Sequence, residues 1–315
     1  MTFSPDSVEL KISTSLQARE LIRSKIPKFL DFYSVWSKWL NHRCPDCKLN
    51  KVVEDVVIIS YARMSVRNGL LNSRSRQYHN EKHIEDLIYR MMAVSEFPES
   101  KEIPQYGWSL LSMFMGAHDL RQAENSESKS LVGNNEKASY EELMRLLKDV
   151  DHSRVVTETH KQLLKLMIYG STFGTNKDEN GNVFNGNLVA YLLDQVGYFD
   201  IEDKEIAFLA CDIDTANVSA PLIEYAQSSI DVFKEIQDFS EFKLSAQMFF
   251  GSMQEDYFFK LQKYNSKLGY LTLNDMKIKN APYVRKVSKE ISKLDKTLSN
   301  QNVIDKYLQL MKEQI

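Results

Sequence analysis

Residues 76–91 read RQYHNEKHIEDLIYRM, and the spacing inside that stretch decides the fold class. Ile84, Leu87, Ile88 and Met91 fall at i, i+3, i+4 and i+7, the repeat of a helix with one apolar stripe turned to a core. Asn80, just ahead of the stripe, is a residue type that caps a helix by accepting a backbone N–H. His79 and His83 stand four apart, which puts two imidazoles on one face, a turn from each other. The same periodicity recurs along the chain: Tyr140, Leu143, Met144 and Leu147; Leu188, Leu192 and Val196; Ile206, Leu209, Ala210 and Ile213; Phe242, Ala246, Phe249 and Met253. No run alternates apolar and polar residues in the manner of a half-buried strand. With 11 Gly and 7 Pro in 315 residues, turns are few. The expected fold class is all-α.

Composition narrows the function classes. A hydrophobic share of 43% and a charged share of 26% belong to a globular chain able to bury a sizeable core. The formal net charge of −3 offers no broad basic footprint, so duplex nucleic acid is not an expected partner. The most apolar windows, VVIISYARM and LLSMFMGA, stop well short of the ~20 residues a membrane span needs. The opening MTFSPDSVELKIS carries acidic residues where a secretory leader carries basic ones, so the expected localisation is cytoplasmic. Cys44, Cys47 and Cys211 are the only cysteines. The CPDC string lacks a second ligand pair, and a structural role is expected for it rather than zinc or redox chemistry.

Three regions are expected: an N-terminal helical segment over 1–48, a central domain over 49–265, and an amphipathic helical segment over 283–315. Two polar loops, 121–135 and 170–187, interrupt the helices of the central region, and the second is too rich in Gly and Asn to stay helical. Val287, Ile291, Leu294 and Leu298, then Ile304, Tyr307, Leu308 and Met311, form an apolar seam. It offers a surface for a homodimer or partner helix, although so short a seam more commonly folds back on its parent.

Three strings carry the candidate chemistry. The first holds His79 and His83. The second, LLSMFMGAHDL, is an apolar helix that ends in His118 and Asp119. A carboxylate placed there is costly to bury unless it is paired or bound to a metal. The third, FLACDIDTANVS, sets Asp212 and Asp214 in an apolar helix, about 200° apart, so that one of them should face the interior. Two His, a His-Asp pair and a later helical Asp make a mixed imidazole and carboxylate set. That set suits a borderline divalent ion such as Mn, Fe, Co, Ni or Zn better than calcium.

The ordered strings resemble the HD superfamily of metal-dependent phosphohydrolases. Members of the branch in question read R-x-Y-H-N-x-x-x-H, then an apolar helix ending in H-D, then N-E-x-x-S, then a helical Asp. This chain supplies Arg76, Tyr78, His79, Asn80 and His83, then His118 and Asp119, then Asn135, Glu136 and Ser139, then Asp212. The resemblance spans roughly residues 74–219 and implies a helical bundle within 49–265. It implies His83, His118, Asp119 and Asp212 as ligands of one tightly held divalent ion, from the metals above or Mg. The Y-H-N-x-x-x-H string is also similar to that of cyclic-nucleotide phosphodiesterases, a resemblance that implies His79 as proton donor to the leaving oxygen, while the branch motif implies Arg76 as phosphate contact and Glu136 as a contact to phosphate or to the metal surroundings. Asp119 would both hold the ion and help aim the attacking water. The implied substrate is a small phosphomonoester or phosphodiester, with a nucleotide as the suspected class. Relatives often carry T-x-x-H before the last Asp, whereas Thr172-Phe173-Gly174-Thr175 here lacks the His, which favours a single ion. His160, on an apolar stripe with Val156, Leu163 and Met167, is expected in the core. Two other readings stand beside this one: a catalytically silent HD-type module that binds a nucleotide, and a helical adaptor working through 283–315.

Overall fold

The computed structural model describes residues 2–45, 47–124, 130–177, 181, 183–197, 199–240 and 243–314. Helices dominate them, as the periodicity predicts. The chain divides into two compact units, Met1–Asp214 and Thr215–Ile315. The division therefore falls within the expected 49–265 region, and residues 1–48 belong to the first unit rather than standing apart.

The first unit contains α1 (Ser7–Lys11), α2 (Ser15–Lys25), α3 (Phe29–Arg43), α4 (Asn50–Arg67), α5 (Glu81–Ser95), α6 (Gln105–Ala117), α7 (Asn134–Val150), α8 (Glu158–Gly170), α9 (Val189–Gln195) and α10 (Ile201–Asp214). The two most apolar windows become its central pair. α6 is buried without interruption from Gly107 to Ala117, and α4 is buried on nearly every side from Val56 to Ser65. A helix that is apolar all round belongs inside a protein or a membrane; among the described residues, no helix is long and apolar enough to cross a membrane. α6 lies close on α4 because Gly116 has no side chain: a Cβ there would lie 3.2 Å from Val57 Cγ2 and 3.4 Å from its Cα. That approach fixes the helix end from which His118 and Asp119 emerge.

The 170–187 loop differs from expectation. It holds a two-stranded antiparallel hairpin, β1 (Phe173–Lys177) and β2 (Val183–Asn187), with Phe173 paired to Asn187 and Lys177 to Val183. Residues 178–180 and 182 of the loop lie outside the described residues. The hairpin needs little apolar alternation because one side chain anchors it. Phe184 packs with Val132 and Leu188 in a small cluster. Gly186, at φ 91°, occupies the left-handed region that favours glycine.

An ion cluster ties the N-terminal segment to this unit. Arg67 holds Asp6 through Nε–Oδ2 at 2.7 Å and Nη2–Oδ1 at 2.8 Å. Arg145 pairs with Glu9 at 2.6 Å, and the fully buried Glu142 receives Arg63 at 3.0 Å and Arg67 at 3.1 Å. Burial opposes the charge on Asp6, but hydrogen bonds from Arg67 and the Glu9 backbone hold its pKa down at about 2. Because this lies below the unfolded value near ~3.9, the pair adds stability above about pH 4 that is lost as pH falls through 2. Asp6→Asn is therefore expected to lower the thermal midpoint at pH 6 and to converge on wild type near pH 2. Equal deficits in melts at both pH values would place its contribution elsewhere.

The second unit has its own core. α11 (Leu222–Phe239), the helices Lys267–Ser292 and Asn300–Lys312, and an irregular helical run over 246–261 enclose Tyr225, Phe233, Phe250, Phe258, Val287, Ile291, Tyr307 and Met311. The stripe expected over Phe242, Ala246, Phe249 and Met253 is not one regular helix: the winding breaks at Gly251, and Met253 is 39% exposed. Phe242 lies outside the described residues. The seam of 283–315 is largely consumed here. Val287, Ile291, Ile304, Tyr307 and Met311 are buried inside the unit, so the seam folds back instead of waiting for a partner helix.

Candidate metal centre

Three helices deliver the candidate ligands. Asn80 caps α5, its Oδ1 accepting the Lys82 N–H at 2.9 Å, so the sequence-expected helix start is where the structure has it. His83 sits one turn in, 4% exposed, while His79 lies just before the cap and is 31% exposed. His118 is the C-cap residue of α6, with Asp119 directly after it. Asp214 ends α10.

Around one point these side chains converge. His118 Nε2 lies 3.0 Å from Asp119 Oδ2 and 3.3 Å from Asp214 Oδ1. His83 Nε2 lies 3.6 Å and 3.4 Å from the same two oxygens. Ligands ~2.1 Å from one ion stand ~3.0 Å apart in cis-octahedral and ~3.4 Å apart in tetrahedral coordination, which is the spacing seen. His83, His118 and Asp214 each offer a donor atom within 4.8 Å of the others'. His79 approaches from the more open side, its Nε2 3.9 Å from Asp119 Oδ2.

The nitrogens facing this point are both buried and both lack a hydrogen-bond partner. The tautomer of His118 follows from its other nitrogen. Nδ1 lies 3.2 Å from the Phe114 carbonyl, which can only accept, so Nδ1 carries the proton and Nε2 turns its remaining valence toward the carboxylates. Ligating histidines are commonly fixed in this way by a backbone carbonyl. Phe114 stacks on the same ring at 4.6 Å, and Tyr78 packs 4.8 Å from His83 and 4.9 Å from His79.

The electrostatics are those of a cation site. Burial opposes charge on Asp214, yet His118 and His83 hold its carboxyl far below the usual range. Asp119 is likewise held low against burial, by His118 and His79. Burial also opposes the charge on His118, but Asp119 and Asp214 together raise its pKa well above the ordinary value. His83 goes the other way, because burial outweighs the same carboxylates. Two ionised carboxylates and two buried imidazoles thus surround a place where positive charge is stabilised, and a divalent ion fits it.

The surrounding contacts explain the N-E-x-x-S string. Asp119 Oδ1 accepts from Gln122 Nε2 at 2.6 Å, which leaves Oδ2 for the centre. Asn135 accepts the Glu124 N–H at 3.1 Å, and Ser139 Oγ accepts the Arg121 N–H at 3.0 Å. The first turns of α7 therefore hold the chain that follows His118 and Asp119. Glu136 folds over Gly133 on the same turn. Burial raises its pKa, with the charge on Asp119 adding to the effect. Arg76 is buried, and its guanidinium donates to the Gln122 carbonyl, behind the residue that holds Asp119.

Of the two carboxylates of α10, it is Asp214 and not the expected Asp212 that forms the close group with His83 and His118. Asp212 is fully buried but belongs to no group of three or more metal-competent side chains among the described residues; Asp214 occupies that place. Two positions along a helix rotate a side chain by about 200°, so only one of the two can reach His83 and His118. His160 is also not in the interior core: it sits at the start of α8, its Nδ1 accepting the Thr157 N–H at 3.3 Å, and stacks on Tyr106 at 5.6 Å. Cys44 donates to the Gln105 carbonyl at 3.2 Å, its thiol pushed up to about 12 by burial, and Cys47 accepts from Ser109 at 3.3 Å. Gln122 escaped the sequence reading. Its one signal was its position three residues after Asp119.

Compared with known proteins, the chain matches no family model, no curated protein and no solved structure.

Proposed function

We propose that this protein is a metal-dependent phosphohydrolase of the HD type, acting on a small phosphomonoester or phosphodiester, with a nucleotide-like substrate. One observation carries the reading: two buried Nε2 atoms without hydrogen-bond partners face the carboxylates of Asp119 and Asp214 at coordination spacing. His83, His118, Asp119 and Asp214 would hold the ion, and the order of the motifs supports the phosphohydrolase class. Bound there, a divalent ion supplies Lewis acidity that activates water near neutral pH and offsets charge on phosphoryl oxygens. Asp119 serves the centre with one oxygen while Gln122 fixes the other. His79, more exposed and beside Asp119, is placed to give a proton to the leaving oxygen.

Elemental analysis of the purified chain, run beside a phosphoester panel with added Mn, Mg, Ni, Co and Zn, tests the reading. The expected result is about one tightly held transition metal per chain and turnover with at least one metal. A chain that retains no metal and turns over no ester under any addition overturns it.

A further inference from the structure

Carbonyls in the last turn of a helix can accept donors from outside the helix. In α10 that last turn is Cys211–Asp214, the turn that presents the candidate ligand Asp214. Two of its carbonyls receive side-chain donors from other elements. Asn187, at the end of β2, donates Nδ2 to the Cys211 carbonyl at 3.1 Å, and Arg90 of α5 donates Nη1 to the Ile213 carbonyl at 3.4 Å. Asn187 is itself buried, with 9% of its surface exposed.

The origin of both donors is informative. Arg90 stands seven residues after His83, two helical turns along the same face of α5. One face therefore presents a candidate ligand and also grips the turn that carries another. Asn187 closes the hairpin register opposite Phe173, and the Leu188 N–H donates to the Thr172 carbonyl at 2.9 Å, so the hairpin cannot shift without moving it. The Thr172 hydroxyl accepts the Gly133 N–H at 3.2 Å, one residue before the start of α7. The hairpin thus contacts both the end of α10 and the start of the helix whose first turns hold the chain after Asp119.

A small rotation at this turn matters greatly. A carboxylate on a helix lies ~5 Å from the axis, so turning the last turn by ~10° moves it by ~0.9 Å. Metal–ligand distances tolerate only about 0.2 Å. Donors that hold two carbonyls of one turn restrain that rotation.

We propose that Asn187 and Arg90 are positioning residues that set the reach of Asp214 and with it the affinity and coordination geometry of the metal centre. This rests on the metal reading of the site. Neither residue touches the centre; each acts through the backbone of α10.

Co2+ titration of the full metal-free chain tests this, read by competition affinity and by the visible absorption bands that report coordination geometry. Thermal unfolding of each metal-free variant runs alongside. Asn187→Ala and Arg90→Met are each expected to weaken Co2+ binding by about tenfold or more and to alter the bands. Arg90→Lys, which keeps a donor, is expected to retain most of the affinity. Arg90→Met carries the test should Asn187→Ala fail to fold. Wild-type affinity and bands in Asn187→Ala and Arg90→Met, whatever their melting temperatures, overturn the positioning role and leave the metal reading standing. A wild-type chain that binds no Co2+ overturns the metal reading and this proposal with it.

Discussion

Asp214→Asn is expected to strip the tightly held metal and abolish turnover, whereas Asp212→Asn is expected to leave the metal in place. Asp214 Oδ1 lies 3.3 Å from His118 Nε2 and 3.4 Å from His83 Nε2, so the substitution removes an anionic donor that faces both imidazoles. An Asn carbonyl keeps the shape but not the charge. One carboxylate then remains to offset a divalent ion in a buried setting, and uncompensated buried charge is costly. Loss of a partner around a metal ligand already costs about 10–100-fold in affinity, and loss of a ligand itself should exceed that. Asp212→Asn changes a fully buried group that is not in the metal-competent cluster, so its effect should appear in the melting temperature. Metal content by elemental analysis decides the matter. Metal lost from the Asp212 variant and kept by the Asp214 variant would return the centre to the motif-based expectation.

This pair shows where a sequence stops informing. Periodicity identified α5, α7 and α10 because burying one stripe is a local property of each segment. The Asn80 cap and the placement of His118 and Asp119 at the end of α6 were legible for the same reason: each depends on neighbours within a few residues. The rotation of α10 at its C-terminus does not. Asp212 and Asp214 share the same apolar flanks, and what separates them is the fit of α10 against distant elements, including Arg90 and Asn187. The hairpin was missed because a single anchor, Phe184, leaves almost no pattern in the chain. The unit boundary at Thr215 lies in no Gly- or Pro-rich linker. That the short C-terminal seam folds back was legible, but its partners in α11 and the run over 246–261 are distant in sequence and were not.

His79→Ala is expected to keep its metal and to lose activity according to the leaving group of the ester. His79 and His83 lie on one side of the site, yet the structure separates their environments. His83 is 4% exposed, and its Nε2 faces both carboxylates; His79 is 31% exposed, with its Nε2 3.9 Å from Asp119 Oδ2. A ligand needs the first environment, and a group that exchanges protons with a departing product needs the second. Loss of a general acid typically costs about 10²–10⁴-fold in rate with the site otherwise intact. That cost should fall on alkyl and sugar phosphates, whose alkoxides leave poorly without a proton. A nitrophenyl ester departs as a stable anion and should lose far less. Elemental analysis beside kcat/KM for both ester kinds measures the split. Equal losses on the two esters, or an emptied site, would reassign His79 from proton donor to ligand or phosphate contact.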